Sequence, residues 1–342
     1  MKENVKGQII YMDFLRIFAA FAVIVLHASA PLLKKMAEGE PTQFMHGNLI
    51  DSATRWCVPI FFMISGALLL NSKRDFDLTF FLKKRFDKIL IPFLVFSVIY
   101  FYINHKGFDI TQFILKLANN AIASHLWFFY AMIAVYLFSP VLILFVKHST
   151  QRINLFVLLV WFLFCSLFPF LNGLNPLFKI NFFGPFGIYL GYFLLGYVLF
   201  TRDFSKKERA LIYILGVLSY FITFYGTFDY TQARGGHFFP LFYTYNSPNV
   251  LMMSIAIFVF FKYQLNFKMK NTKVLTKMSS LTFGVYLIHP YFLGISMRNS
   301  HFNFLYNDHL LFTIPLIGLI VFLISLILSY VISIIPIAKR VI

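Results

Sequence analysis

The chain has 342 residues, of which 59% are hydrophobic, 20% aromatic and only 13% charged, with a formal net charge of +17. A soluble globule carries roughly 25% charged residues, so this composition and a mean hydropathy of +0.75 exclude a soluble enzyme and indicate a polytopic membrane protein. The positive balance does not point to nucleic acid, because the basic residues are scattered between apolar runs, where they set membrane orientation, and not gathered on a soluble module.

A window of about 20 residues, the length that crosses a bilayer as a helix, predicts an all-α chain of ten spans. They fall near 9–30, 56–71, 88–104, 126–146, 153–171, 183–201, 210–228, 248–263, 279–297 and 310–337. The first run is not a cleavable signal, since it lacks a small-residue cleavage site and further spans follow directly. One transmembrane domain over 1–342, with no appended soluble domain, is the expected organisation. Basic residues cluster in alternate loops, among them Lys83, Lys84, Arg85 and Lys88, then Lys206, Lys207 and Arg209, then Lys339 and Arg340. The opposite loops hold Lys34, Lys35, Arg55, Lys106, Lys116, Lys179, Arg234 and Arg298. This bias predicts that both termini are cytoplasmic. Cys57 and Cys165 lie far apart in or beside apolar runs and read as free thiols.

The first span, "DFLRIFAAFAVIVLHA", is apolar except for Arg16 and His27, with Asp13 just before them. A charge at the middle of a span costs roughly 2.5–3.5 kcal/mol on insertion scales and usually faces a protein interior or a wet cavity. Arg16 and His27 are about three helical turns apart, so both point to the same face, roughly 16 Å apart along the axis. Asp13, one turn before Arg16, is its natural ion-pair partner. The plain alternative is that Arg16 snorkels inward and His27 rests among the outer headgroups. A shared face argues instead for a polar channel crossing most of the bilayer.

The second span opens with "DSATRWCVPIFFMISGALLL", which puts Ser52 and Arg55 at the outer face. The third is entered through "FLKKRFDKILIPF", with Lys84, Arg85 and Lys88 at the cytoplasmic face. These cations are either ordinary membrane anchors or a rim for a polyanionic donor. The fourth opens with "HLWFFYAMIAVYLFSP", which puts His125 and Trp127 at the outer face; an interfacial aromatic belt is the ordinary explanation of such a run. The ninth carries "FGVYLIHP", with Tyr286 and His289 on one helix face near mid-membrane and Pro290 next. Widely separated histidines, without an HExxH motif or a carboxylate cluster, argue against a metal site.

Taken together, "YMDFLRIFAAFAVIVLHA", "VPIFFMISGALLL", "HLWFFYAMIAVYLFSPV" and "FGVYLIHPYF" resemble, in type and order, the signature blocks of membrane acyltransferase family 3. The resemblance runs from about residue 8 to the C-terminus. "SATRWCVPIFFMISG" and "HLWFF" resemble in particular the enterobacterial common antigen O-acetyltransferase branch. It implies a multi-pass enzyme of the bacterial plasma membrane that moves an acyl group, usually acetyl from cytoplasmic acetyl-CoA, onto a glycan of the cell envelope. The family's arginine and histidine, separated by ten residues, match Arg16 and His27, and its basic cluster before the third span resembles the region of Arg85. On that reading Asp13, Arg16 and His27 are catalytic. Arg85, Lys84, Lys88, Tyr286 and His289 handle the acyl-CoA co-substrate, and Arg55, His125 and Trp127 receive the glycan or lipid-linked saccharide. The lack of a fused esterase-like domain favours a standalone polysaccharide modifier over a two-domain peptidoglycan acetylase.

The chemistry of the residues agrees. O-acyl transfer from a thioester to a sugar hydroxyl needs a base for the hydroxyl proton and a donor for the developing oxyanion. Histidine, with an ordinary pKa of about 6.5, suits the first task, and an imidazole also serves as a transient acyl carrier. Both roles are open to His27. A lipid-linked sugar exporter is the competing expectation, and only the enzyme would bind CoA.

Overall fold

The computed structural model describes residues 9–72, 77–105, 107–175, 186–265, 272–298, 309–336 and 338–342. Every regular element among them is a helix, as long apolar runs require where no water satisfies the backbone. In chain order they are α1 (Ile10–Ser29), α2 (Pro41–Thr54), α3 (Cys57–Leu70), α4 (Leu78–His105), α5 (Ile110–Ala118), α6 (Trp127–His148), α7 (Gln151–Trp161), α8 (Phe168–Leu174), α9 (Phe186–Thr201), α10 (Lys206–Gln232), α11 (Pro248–Gln264), α12 (Lys273–Arg298) and α13 (Leu310–Ile334). Among the described residues, 9 helical segments are long and apolar enough to cross a membrane, and the shorter Gly187–Thr201 adds another apolar helix. Lys106, Lys179 and the first residues of the sixth expected span lie outside the described residues.

Two expected boundaries move most. The second span is not 56–71 but the longer segment Pro41–Leu70. Its ladder is interrupted between α2 and α3 because Pro59 has no N–H to offer the Arg55 carbonyl. The third span begins at Leu78, not 88, so Lys84, Arg85 and Lys88 ride on the first turns of α4 and not on a loop before it. Elsewhere local chemistry marks the ends. Ser205 and Glu208 form a reciprocal capping box at the start of α10, with Ser205 N donating to Glu208 Oε2 at 2.8 Å, and Asp109 caps α5 through the N–H groups of Thr111 and Gln112.

Buried on every side, α9 forms the centre of the bundle, with Tyr192 and Phe193 fully enclosed, as an all-round apolar helix should be. It lies close against α3. A Cβ on Gly66 would come within 1.7 Å of the Phe193 carbonyl oxygen, and one on Gly196 within 1.9 Å of that of Met63. Small residues on both helices let the backbones touch, the usual basis of helix association in lipid. By contrast α10 and α13 turn Ile214, Val217, Phe221, Phe312, Leu323 and Ile327 outward, an apolar girdle suited to lipid.

Helices α1 and α12 run parallel and in step. Arg16 Nη1 donates to Ser279 Oγ at 3.1 Å near their starts, and the rings of His27 and His289 stand 5.4 Å apart further along. Lys277 Nζ donates to Ser333 Oγ at 3.0 Å, so the end of α13 returns to the level where α1 and α12 begin. The two ends of the described helical chain therefore share one end of the bundle.

Candidate active site

Two polar clusters occupy the seam that α1 shares with α12, one at the Arg16 end and one at the His27 end. At the His27 end three imidazoles converge from three helices. His27 comes from α1, His289 from α12, and His125 from the 3-10 turn (Ser124–Leu126) that leads into α6. The His289 ring lies 5.4 Å from that of His27, tilted by 34°, and 6.2 Å from that of His125. His289 is fully buried and His125 nearly so, whereas His27 keeps a partly open face. Tyr100 packs edge-on against His125 at 4.6 Å and donates its hydroxyl to the Leu287 carbonyl at 2.8 Å, and the Tyr286 hydroxyl donates to the carbonyl of His125. These bonds tie α4, α6 and α12 around the imidazoles. No group of three His, Cys, Asp or Glu among the described residues is arranged to hold a metal ion.

Beside the histidines, the break between α2 and α3 delivers Arg55. Its guanidinium pairs with Asp51, one turn earlier, and the carboxylate is fully enclosed. Ser29 of α1 donates to the other Asp51 oxygen at 3.3 Å, and the guanidinium lies over the Tyr243 ring, 4.2 Å from its centroid. Tyr243 is itself held by Asn48 and Ser52 of α2. A buried pair of this kind persists only when further hydrogen bonds satisfy its atoms, and Ser29 supplies one. The Arg55 Nε is enclosed without a hydrogen-bond partner among the described residues.

Arg55 also lines a cleft of about 340 Å³, together with Tyr189, Tyr243, Tyr245, Phe238 and Asn246. Trp127 adjoins this cleft, stacked on Tyr245 at 5.7 Å and facing Tyr189 at 5.7 Å. The Tyr192 hydroxyl donates to the Tyr245 carbonyl at 2.6 Å and anchors that segment on the central helix. Aromatic faces beside a hydrogen-bonding rim give a cleft suited to a polyhydroxylated ring.

At the other end Arg16 bonds Ser279 at 3.1 Å and stands 3.9 Å from Asp13. The expected Asp13–Arg16 pair is therefore present, but loose. Tyr136 of α6 joins this cluster: its hydroxyl donates to Ser65 Oγ at 3.4 Å, and Arg85 lies over its ring at 5.2 Å. Arg85, Tyr136, Leu82, Phe86, Ile89 and Leu137 line a shallow groove between α4 and α6. Lys84 and Lys88 are exposed and stay out of that groove; Lys84 lies over Phe80 instead, at 5.6 Å.

The sequence grouped Arg55 with Trp127 on the acceptor face, and the structure sets both beside one cleft; it made Arg16 catalytic and Arg85 a donor residue, and both lie near Tyr136. It assigned His125 to the acceptor face and His289 to the donor, whereas the two sit in one imidazole cluster with His27. The residues it missed are Asp51, Ser29, Tyr136, Tyr189, Tyr243, Tyr245 and Ser279. Only Asp51 carried a readable signal, four residues before Arg55 on one helix.

Histidines and arginines in the interior seam of a helical membrane bundle mark a functional site of an integral membrane protein. The sequence profile of the acyltransferase-3 family, described as an acyltransferase domain, matches residues 9–334, and the chain belongs to that family. It is a polytopic membrane acyltransferase. No curated protein and no solved structure matches the chain.

Proposed function

We propose that the protein is an O-acyltransferase, in the first instance an O-acetyltransferase, that takes its acyl group from an acyl-CoA at the Arg16 end. It delivers the group to a hydroxyl of a cell-envelope or extracellular polysaccharide at the Arg55 end. The observation that carries this reading is the pair of polar clusters on one face of α1, kept in step by α12, within an otherwise apolar bundle. A donor with phosphates needs cations that grip in bidentate fashion, and Arg16 and Arg85 meet around Tyr136. An acceptor glycan needs aromatic faces and hydrogen-bonding groups, which Trp127, Tyr189, Tyr245 and Arg55 offer.

In this mechanism His27 receives the acyl group or activates the acceptor hydroxyl. The unpartnered Nε–H of Arg55 faces the charge that develops on the carbonyl oxygen, and Asp51 holds the guanidinium in place. Asp13 orients Arg16. Tyr286 braces α12 against the turn that carries His125. The expected residence is the bacterial plasma membrane with both termini cytoplasmic, and a branch close to the enterobacterial common antigen O-acetyltransferases suits the sequence blocks. Membership of an acyltransferase family removes the ground for the exporter alternative. Mass spectrometry of envelope polysaccharides from cells with and without the gene tests the proposal. A gain of one acyl unit per modified residue supports it and identifies the acyl group, and identical spectra contradict it.

A further inference from the structure

His289 is more constrained than any role in holding a co-substrate requires. Its Nδ1 lies 3.2 Å from the carbonyl oxygen of Val285, one turn earlier on α12. A carbonyl only accepts, so Nδ1 carries the proton and donates, and Nε2 is left with its lone pair. That Nε2 is enclosed and has no hydrogen-bond partner among the described residues. A buried acceptor left unpaired is costly, and this one is held beside the imidazole of His27, with ring centroids 5.4 Å apart. The next residue, Pro290, has no N–H to offer the Tyr286 carbonyl, yet α12 continues unbroken to Arg298. His125 stands one ring further away, 6.2 Å from His289, with its own face against Tyr100.

We infer that His289 is a second catalytic base, which takes the proton of the acceptor hydroxyl while His27 carries the acyl group. The inference rests on the acyl-transfer reading above and fixes which of two roles His27 plays. An acyl group withdraws electron density from the imidazole that bears it and makes its second nitrogen a poor base, so a carrier mechanism is served by a second base within reach. In the donor half-reaction a His27 ring nitrogen attacks the thioester carbon, the C–N bond forms and the C–S bond breaks. The proton released by the His27 ring goes to the departing thiolate, giving free CoA. In the acceptor half-reaction the hydroxyl proton moves to His289 Nε2 as the alkoxide oxygen bonds the acyl carbon. The C–N bond breaks, its electron pair returns to His27, and the proton passes from His289 to His27. Both rings end as they began.

Two measurements on His289→Asn test this. The amide nitrogen of asparagine replaces Nδ1 and keeps the donation to Val285, while the basic Nε2 is gone. Purified protein is first assayed for exchange of radiolabel between acetyl-CoA and free CoA without acceptor, which reads the donor half-reaction alone. O-acyl content of envelope polysaccharide from cells expressing each variant reads the whole reaction. The expected result is retained exchange in His289→Asn with polysaccharide acylation reduced by about 10²–10⁴-fold, the usual contribution of a general base. Loss of exchange together with acylation, or acylation at the parent level, overturns the inference. His289→Gln is the second variant, and failure of both to accumulate as folded protein makes the residue structural and overturns it as well. If the parent acylates polysaccharide but shows no exchange, His27 is not an acyl carrier and the inference fails while acyl transfer stands. If the parent does neither, the acyl-transfer reading itself fails.

Discussion

The two ends of the α1–α12 seam are built differently from similar residues. At the His27 end nearly everything polar is enclosed: Asp51 is fully buried, Arg55 pairs with Asp51 and lies over Tyr243, and two of three histidines are closed off. At the Arg16 end the guanidinium is 29% exposed, its carboxylate partner is 3.9 Å away, and Arg85 lies over an aromatic ring in a shallow groove. Enclosure strengthens electrostatics and excludes water, which suits bond making. Openness suits a large anionic ligand that must arrive and leave. On the proposed reading, the same residue types divide between chemistry and capture according to burial.

The largest break in that comparison comes from the enclosed end. His27→Ala is expected to lower polysaccharide O-acylation by at least about 10²–10⁴-fold, with expression and membrane insertion unchanged. Acylation retained in a well-expressed variant removes His27 from the chemistry. Next in size is the buried pair. Asp51→Leu leaves the Arg55 charge without its counter-ion and should cost about 3–5 kcal/mol of stability, read as a lowered thermal midpoint in detergent. The double variant Asp51→Leu with Arg55→Met should recover most of that loss, and no recovery would mean that the cost lies in packing. A smaller effect is expected from the central helix α9. Gly196→Ala forces α9 away from Met63 of α3 and should cost about 1–3 kcal/mol. An unchanged midpoint would show that the two backbones have room to spare.

Long apolar runs made the helical architecture and most spans legible, and the spacing of Arg16 and His27 placed both on one face because helical geometry is local. Helix α2 was missed as part of a span, since "PTQFMHGNLIDSAT" is too polar for a hydropathy window. Its polar groups are satisfied by distant partners: Asn48 donates to the Phe224 carbonyl at 2.9 Å and also receives Tyr243. Such pairings bring together residues nearly two hundred positions apart and leave no local mark. Tyr136, Tyr189 and Tyr245 were hidden for another reason, because an aromatic in an aromatic-rich chain looks like packing or an interfacial belt. His289 was visible, but its partnership with His27 required the register of α1 on α12. The charge bias predicts the side as well as the pairing of the ends. Reporter fusions at residue 342 and within 229–247 should therefore lie on opposite sides, the former cytoplasmic. A cytoplasmic reading for 229–247 would break the ten-span order.

The proposed division between an open capturing end and an enclosed reacting end is tested most directly by binding of a non-hydrolysable CoA analogue to purified protein. Lysine keeps the charge of arginine but not its bidentate fork, so Arg16→Lys and Arg85→Lys should each weaken binding. Trp127→Ala, at the far end, should bind the analogue as the parent does and lose only acceptor use. If Trp127→Ala abolishes analogue binding while Arg85→Lys retains it, the two ends have the opposite assignments and the account is wrong.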